Sequence, residues 1–463
     1  MIAALELVLV LAAVWLLTWH GVPRLAKLLA RALGLRARPS PITEKRLRRF
    51  RRIGRGYWSF RVVVTAFVAS LFLELLVNGE ALAIHYQGRT AFPAVTQWVD
   101  TLLPFVDIPS FQRRGDFGQP GQGAVDYRLF ARWTRDPETL EEAIRELEAA
   151  VTAERSDAAD QAAAADAGPD DFVRRRHAIA LERAERFERD LEVLLRTREA
   201  IGAGEAWIVM PLYPHGPDEL RLDLPQNPPN KPSLAHGLPL GTDTAGRDVL
   251  PLMLYGFRIS LTFALLVAAT GYLIGALVGG IQGYYGGWID ILSQRFVEIW
   301  GSIPFLFTIM IIASLVTPSF LLLVVLMVVL QSWLGITYYI RGEFYREKAK
   351  DYVQAAIGTG VADWKIIVRH ILPNALVPLV TFAPFGIVAY IGALVALDYL
   401  GFGLPPGTPS WGALLRQGLE NVRFHPHLTI IPTVALAATL YTVVMIGEAV
   451  REAFDPKVFS RLR

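Results

Sequence analysis

The sequence contains no cysteine, so disulfides, thiolate metal sites and cysteine nucleophiles are excluded and the redox compartment stays open. It is also short of charge: 19% of its 463 residues are charged against 53% hydrophobic, outside the balance of a soluble domain. Catalytic signatures are missing as well. No His-Glu-x-x-His helix, Gly-x-Ser-x-Gly elbow or Walker lysine loop occurs, and no acids pair at a spacing that demands catalysis, so an enzyme is not expected. The formal charge of +3 is local rather than spread over a nucleic-acid-binding face, because residues 24–55 alone hold twelve Lys or Arg against Glu44.

What the chain does have is long apolar runs. Stretches of about 20 residues almost free of charge lie within 256–340, 376–397 and 428–446, long enough to cross about 30 Å of hydrocarbon. An earlier run, 2–19, has no basic residue before it and many after it, the reverse of a cleavable signal peptide. It reads as an extra N-terminal span (1–20) followed by a basic cytoplasmic linker (21–56). A first core span is expected at 57–77. Residues 78–249 are too polar to be embedded and are placed outside. Three spans follow in 250–340 (256–282, 296–316 and 321–339), then a cytoplasmic loop (341–375), a span (376–398), an exterior loop (399–427) and a last span with a cytoplasmic tail (428–463). Loop charge agrees, since 341–369 holds six basic residues and 398–427 only two. The expected fold is an all-α polytopic membrane protein, six core spans plus one.

The exterior segment has its own pattern. Residues 136–201 carry 28 charges in 66 positions, yet Leu140, Ile144, Leu147 and Val151 recur at 4-3-4 spacing. Ala180, Ala184, Phe187, Leu191 and Leu194 repeat the seam after Gly168-Pro169, which predicts an antiparallel helical hairpin with Glu185/Arg189 and Glu192/Arg196 on its wet face. Residues 210–239, rich in Pro and Asn, predict an irregular stretch.

Ionisable groups near the spans read as structural. Glu6, Glu74, Glu298 and Glu448 lie near span ends, where wet carboxylates cost least, and Glu298 shares its span with Pro304. His425-Pro426-His427 lacks an evident third metal ligand, and His370 suits packing or docking. The segment Gly241-Thr242-Asp243-Thr244-Ala245-Gly246-Arg247-Asp248 has the Gly-x4-Gly spacing of a phosphate loop, but Asp248 would repel phosphate. Span centres offer mainly Leu, Val, Ile, Phe and Gly, with no ion relay, so energy should come from outside the chain.

Residues 341–373 are amphipathic. Phe344, Tyr345, Tyr352, Val353 and Ala356 offer an apolar side, and Arg346, Lys348, Lys350 and Asp351 a wet one. Small Ala355 and Ala356 allow close approach, Gly360 a sharp turn, and Pro373 ends the element. Such a helix-turn-helix suits another protein's groove. Its residues resemble the EAA loop of ATP-binding-cassette importer permeases: Gln354-Ala355-Ala356, Gly360, then His370-Ile371-Leu372-Pro373 stand at the loop's spacing, with Gln354 for Glu and His370 for Ile. Residues 241–250 with 255–260, and 400–406 with Pro409-Ser410-Trp411-Gly412, look like the peptide branch of these importers. Residues 282–287 and 447–456 most resemble the YejE type, the permease of oligopeptide and microcin C importers. The resemblance covers 48–457, apart from the charged hairpin, which looks like an addition, as does the first span.

The resemblance implies a type I ABC importer permease in the bacterial inner membrane, working with a second homologous permease, a periplasmic peptide-binding protein and ABC ATPase subunits that bind ATP and Mg. No cofactor or metal is implied in this chain. Gln354, Ala355, Ala356, Gly360, Arg369, His370, Leu372 and Pro373 would form the ATPase-coupling loop. Gly241, Thr242, Asp243, Gly246, Arg247 and Asp248 would form the core entry. Gly401, Gly403, Pro409 and Trp411 would lie in a periplasmic loop reaching toward the binding protein or the pathway mouth. Cargo would be peptides or microcin C-like compounds, moved by alternating access. Two rivals are a membrane-anchored receptor or scaffold acting through the hairpin and an ion-coupled carrier. The first leaves six tightly looped spans unexplained, and the second lacks intramembrane charges.

Overall fold

The computed structural model describes residues 12–21, 23–24, 41–102, 113–166, 171–221 and 224–454. Most of the expected first span with Glu6, the Gly168-Pro169 turn and the final Asp455-Pro456 lie outside the described residues. The chain separates into two compact units, Phe72–Gly216 and the residues on either side of it. Helix α1 (Pro41–Arg52) carries the basic tract into α2 (Gly54–Ser70). The span expected at 57–77 stops at Ser70. The Ser70 hydroxyl turns back to donate to the Phe67 carbonyl at 2.7 Å, and the Ser70 carbonyl accepts from Arg258 at 3.3 Å, so the last turn is satisfied there. Residues 73–76 form a separate turn of helix in the polar unit, where Glu74 is buried rather than wet.

The polar unit is not purely helical. Strands β1 (Ala83–Tyr86), β2 (Arg89–Ala91) and β3 (Ala206–Val209) make an antiparallel sheet in the order β2-β1-β3, which departs from the all-α expectation. Four helices accompany it: α3 (Pro93–Leu102), α4 (Tyr127–Arg135), α5 (Pro137–Asp166) and α6 (Asp171–Gly202). Pro137 opens α5 where a missing N–H costs nothing, and the Asp136 carboxylate accepts from Glu138 N at 3.3 Å. Leu140, Ile144 and Leu194 are buried with Phe130 and Trp133, while Arg198–Glu141 at 3.5 Å and Arg155–Glu188 lace the wet side between α5 and α6. The sheet was missed because its strands run only three or four residues, too short for an alternating pattern to stand out.

The apolar unit is built on α7 (Val249–Tyr285), whose 37 residues rise about 55 Å, more than a bilayer with its headgroups. Then come α8 (Gly287–Gly301), α9 (Phe305–Leu315), α10 (Phe320–Ser332), α11 (Leu334–Lys348) and α12 (Asp351–Gly358). Helices α13 (Val377–Leu400), α14 (Trp411–Glu420) and α15 (His427–Phe454) complete it. Among the described residues three helices, α7, α13 and α15, are long and apolar enough to cross a membrane alone, and the pairs α8/α9 and α10/α11 raise the number to five if each is one bent span. The span expected unbroken at 296–316 is therefore two helices meeting at 63°. Pro304, without an N–H, stands at the break and cannot continue the ladder of α8. The span expected at 321–339 runs on to Lys348 and bends by 46° after a π-helical turn, Val328–Ser332.

Four glycines one turn apart let α7 lie directly on α10 and α11. A Cβ at Gly271 would meet Ser332 Oγ at 1.9 Å, at Gly275 Ile336 Cγ2 at 2.1 Å, at Gly279 the Thr337 carbonyl at 2.5 Å, and at Gly283 Phe344 Cβ at 2.5 Å. In lipid, helix association depends on such close contact because burying apolar side chains gains little.

Candidate functional site

The amphipathic segment after α11 folds into a compact knuckle. Helix α12 is followed by a turn in which Gly360 has φ +74°, then residues 363–375, whose middle Ile366–Ile371 is π-helical. Val353, Ala356, Ile366, Ile371 and Ala375 are buried against Ala276 and Tyr284 of α7 and Ile336, Ile340 and Phe344 of α11. Polar bonds fasten the same face. Tyr284 Oη donates to Asp363 at 2.6 Å, Lys348 Nζ donates to the Tyr284 carbonyl, and Gln354 Nε2 donates to the Lys348 carbonyl at 2.7 Å.

Two buried acids that sequence reasoning did not single out complete the anchorage. Asp290, 6% exposed, accepts from Arg341 Nε and Nη2 at 2.5 and 2.7 Å and from Tyr345 Oη at 2.6 Å, joining α8 to α11. Glu347, 3% exposed, accepts from Lys350 Nζ at 2.6 Å and Tyr352 Oη at 2.7 Å. Tyr352 in turn accepts from Asn374 Nδ2 at 3.0 Å, closing the knuckle from end to end. Burial, and then the bond to the Glu347 carboxylate, raise the Tyr352 hydroxyl pKa above its usual value, so it stays a donor at neutral pH. The expectation that the chain lacks buried charge pairs is corrected here. Asp290 and Arg341 do pair, Asp290 in the first turn of α8 and Arg341 midway along α11. The signal available was Asp290 itself, a lone acid three residues past Gly286-Gly287.

Gln354, Ala355, Gly360, Arg369 and Pro373 are exposed, His370 and Leu372 are half-buried, and Ala356 is buried. Tyr345 and Tyr352, expected on the apolar side, are 40% and 41% exposed and act through their hydroxyls. Around them Ile357, Trp364 and Val368 stand exposed at 38%, 64% and 53%. The knuckle thus has one face locked to the spans and one face of small and apolar residues open.

At the other end of α7 the remaining motif residues meet in a cap. Asp243 is fully buried and accepts from the backbone N–H groups of Ala245 and Arg247 at 3.0 and 2.8 Å and from Arg247 Nε and Nη2 at 2.9 and 2.8 Å. Every lone pair that could face a ligand is taken. Thr242 Oγ1 accepts from Asn230 N at 2.7 Å, and Gly241 (φ +81°) comes so close that a Cβ would lie 2.5 Å from the Asn230 carbonyl. Asp248 caps α7, accepting from Leu250 N at 2.9 Å. The Gly401–Trp411 loop folds onto the same place: Arg247 Nη1 donates to the Gly407 carbonyl at 2.8 Å and Trp411 Nε1 to the Met253 carbonyl at 2.9 Å. Buried Asp398 accepts from Leu404 N at 2.7 Å and Ser410 Oγ at 2.5 Å, and it leaves no room for a Cβ at Gly403. Pro409 and Trp411 are buried, so these residues hold the cap together rather than reach out from it.

A profile of the family described as binding-protein-dependent transport system inner membrane component matches residues 271–460, which include the knuckle. The chain is 33% identical over 420 residues to the inner membrane ABC transporter permease protein YejE of Escherichia coli strain K12, a match spanning 91% of this chain and 98% of that protein. The chain belongs to this family of ABC transporter permeases. The permease is also 32% identical over 440 residues to the peptidoglycan transport system permease protein YejE of Agrobacterium fabrum, covering 90% of this chain and 94% of that one. Against the oligopeptide transport system permease protein OppC of Haemophilus influenzae it is 37% identical over 217 residues, 47% of this chain and 70% of the other. The permease is thus a non-catalytic, helical protein of the bacterial inner membrane.

Proposed function

We propose that this permease pairs with a second, homologous permease to form the pathway of an ATP-driven importer of peptides or peptide-like compounds, microcin C-like molecules among them. Six spans, counting α2 as the first, would carry the pathway, with the polar unit on the periplasmic side and the knuckle in the cytoplasm. The observation that carries this reading is the two-faced knuckle. Its inner face is tied to α7 and α11 by a closed core and three hydrogen bonds, so that it moves with the spans. Its outer face is open and apolar, as a docking surface requires. ATPase subunits that bind ATP and Mg would grip Ala355, Ile357, Trp364 and Val368. Closure of the ATPase pair would then tilt the spans between inward-facing and outward-facing states. A periplasmic peptide-binding protein would deliver the cargo.

Reconstitution with the second permease, ATPase subunits and binding protein, followed by uptake of a labelled tripeptide, tests this. Ala355→Trp, on the open face, is expected to abolish ATP-dependent uptake while the chain stays inserted and folded. Gly360→Pro should do the same, since its φ of +74° is closed to proline. Uptake that persists without ATP, or survives both substitutions, would overturn the reading.

A further inference from the structure

Half-helix α8 has three faces. Asp290 and Val297 are buried against the protein. Leu292, Phe296 and Ile299 are exposed and apolar at 65%, 53% and 69%. Between these faces runs a polar stripe, Gln294, Arg295 and Glu298. Arg295 Nη1 donates to Glu298 Oε2 at 2.6 Å and Gln294 Nε2 donates to Glu298 Oε1 at 3.3 Å, with the charged side chains 71% and 40% exposed. Gln294 Oε1 has no hydrogen-bond partner among the described residues.

The depth of this stripe can be read from contacts. Trp300 Nε1 donates to the Val329 carbonyl at 2.9 Å, one turn from Ser332, which packs on Gly271. Gly271 lies about 33 Å from the start of α7 and about 21 Å from its end at 1.5 Å per residue. Glu298, two residues before Trp300, therefore sits near the mid-length of the longest span and beside the break at Pro304, not near a span end as its place in the sequence suggested. Hydrocarbon cannot solvate an exposed ion pair there, and charges at such depth face a water-filled cavity or a partner. Interrupted helices at mid-depth are also where transport proteins place polar contacts to their cargo.

We propose that Gln294, Arg295 and Glu298 line the aqueous pathway and hold the charged ends of a peptide in transit, Arg295 taking the terminal carboxylate and Glu298 the terminal ammonium. Both side chains are exposed, so little energy is lost when the pair opens to exchange partners. A carboxylate matches the guanidinium fork, which favours a zwitterionic cargo over a neutral one. The proposal rests on the permease reading above.

The cysteine-free chain makes the test direct, since any introduced thiol is the only one in it. In the assembled, reconstituted transporter, Gln294→Cys and Glu298→Cys are expected to react with a membrane-impermeant maleimide, and trialanine to slow that reaction, while Leu292→Cys and Ile299→Cys stay unlabelled. In uptake assays Glu298→Gln should raise KM for free trialanine about tenfold, 1.4 kcal/mol, and leave N-acetyl-trialanine unchanged. Arg295→Gln should discriminate in the same way for the C-amidated peptide. Absence of ATP-dependent uptake by the unsubstituted protein would defeat the permease reading itself. Normal uptake with positions 294 and 298 unlabelled, with the cysteines cross-linking to the partner permease, or with equal KM changes for free and blocked peptides, would overturn this inference alone.

Discussion

Replacing Asp243 with alanine asks whether the glycine-rich segment before α7 is a self-contained hub or a ligand loop. Its carboxylate is fully buried and accepts from four donors, and the Arg247 side chain that supplies two of them is only 14% exposed. Alanine would strand that guanidinium in the cap, bonded to the Gly407 carbonyl but without its counter-charge. Breaking a buried pair from one side costs about 3–5 kcal/mol, a large part of the ~5–15 kcal/mol that holds a protein folded. Asparagine keeps an acceptor for the two backbone N–H groups but turns an amide donor toward the arginine, so Asp243→Asn should cost about 1–3 kcal/mol. Adding Arg247→Met removes the stranded charge. The double variant should therefore recover about 1–3 kcal/mol relative to Asp243→Ala alone. Thermal unfolding of the purified chain in detergent, followed by tryptophan fluorescence, reads all three. A loss under about 0.5 kcal/mol for Asp243→Ala would refute the hub and reopen a ligand role for the loop.

Gly275→Leu should destabilise the bundle by about 2–3 kcal/mol or more, because the added side chain would run into Ile336 and the Trp333 carbonyl, whereas Gly342→Ala, with nothing within 4 Å, should be neutral or stabilising by about 1 kcal/mol in the same unfolding assay. Tyr284→Phe removes the bond to Asp363 and should loosen the knuckle by about 1–2 kcal/mol, seen as roughly tenfold faster amide exchange in residues 351–366 with the exchange of α7 unchanged.

The apolar runs were legible because lipid leaves a spanning chain little choice beyond helices of sufficient length. Their interruptions were not. Pro304 could be seen in the sequence, but a proline can kink, end or merely open a helix, and only the positions of α8 and α9 settled a 63° break. The knuckle was legible as a shape from Ala355, Ala356, Gly360 and Pro373, while the division of its faces was not. Ala355 and Ala356 look alike in sequence, yet one is open and the other buried against α7 and α11. Asp243 and Arg247 first looked like a defective phosphate loop. Their side chains prove to satisfy each other, a relation four residues apart that spacing alone did not expose.

The sequence by itself determined that this chain is a membrane protein, that no familiar catalytic machinery is written into it, and that a small-residue helix-turn-helix interrupts its spans. Those properties are sums over local composition and spacing, which need no knowledge of neighbours. Tertiary structure alone decided which carboxylates are buried and paired, which of two adjacent alanines is available to a partner, and that Gln294, Arg295 and Glu298 share an exposed stripe at mid-depth. Each of these depends on what a distant segment brings to the same place. Asp290 meets Arg341 across 51 residues and Trp411 meets Met253 across 158, and sequence separation carries no information about which contact forms.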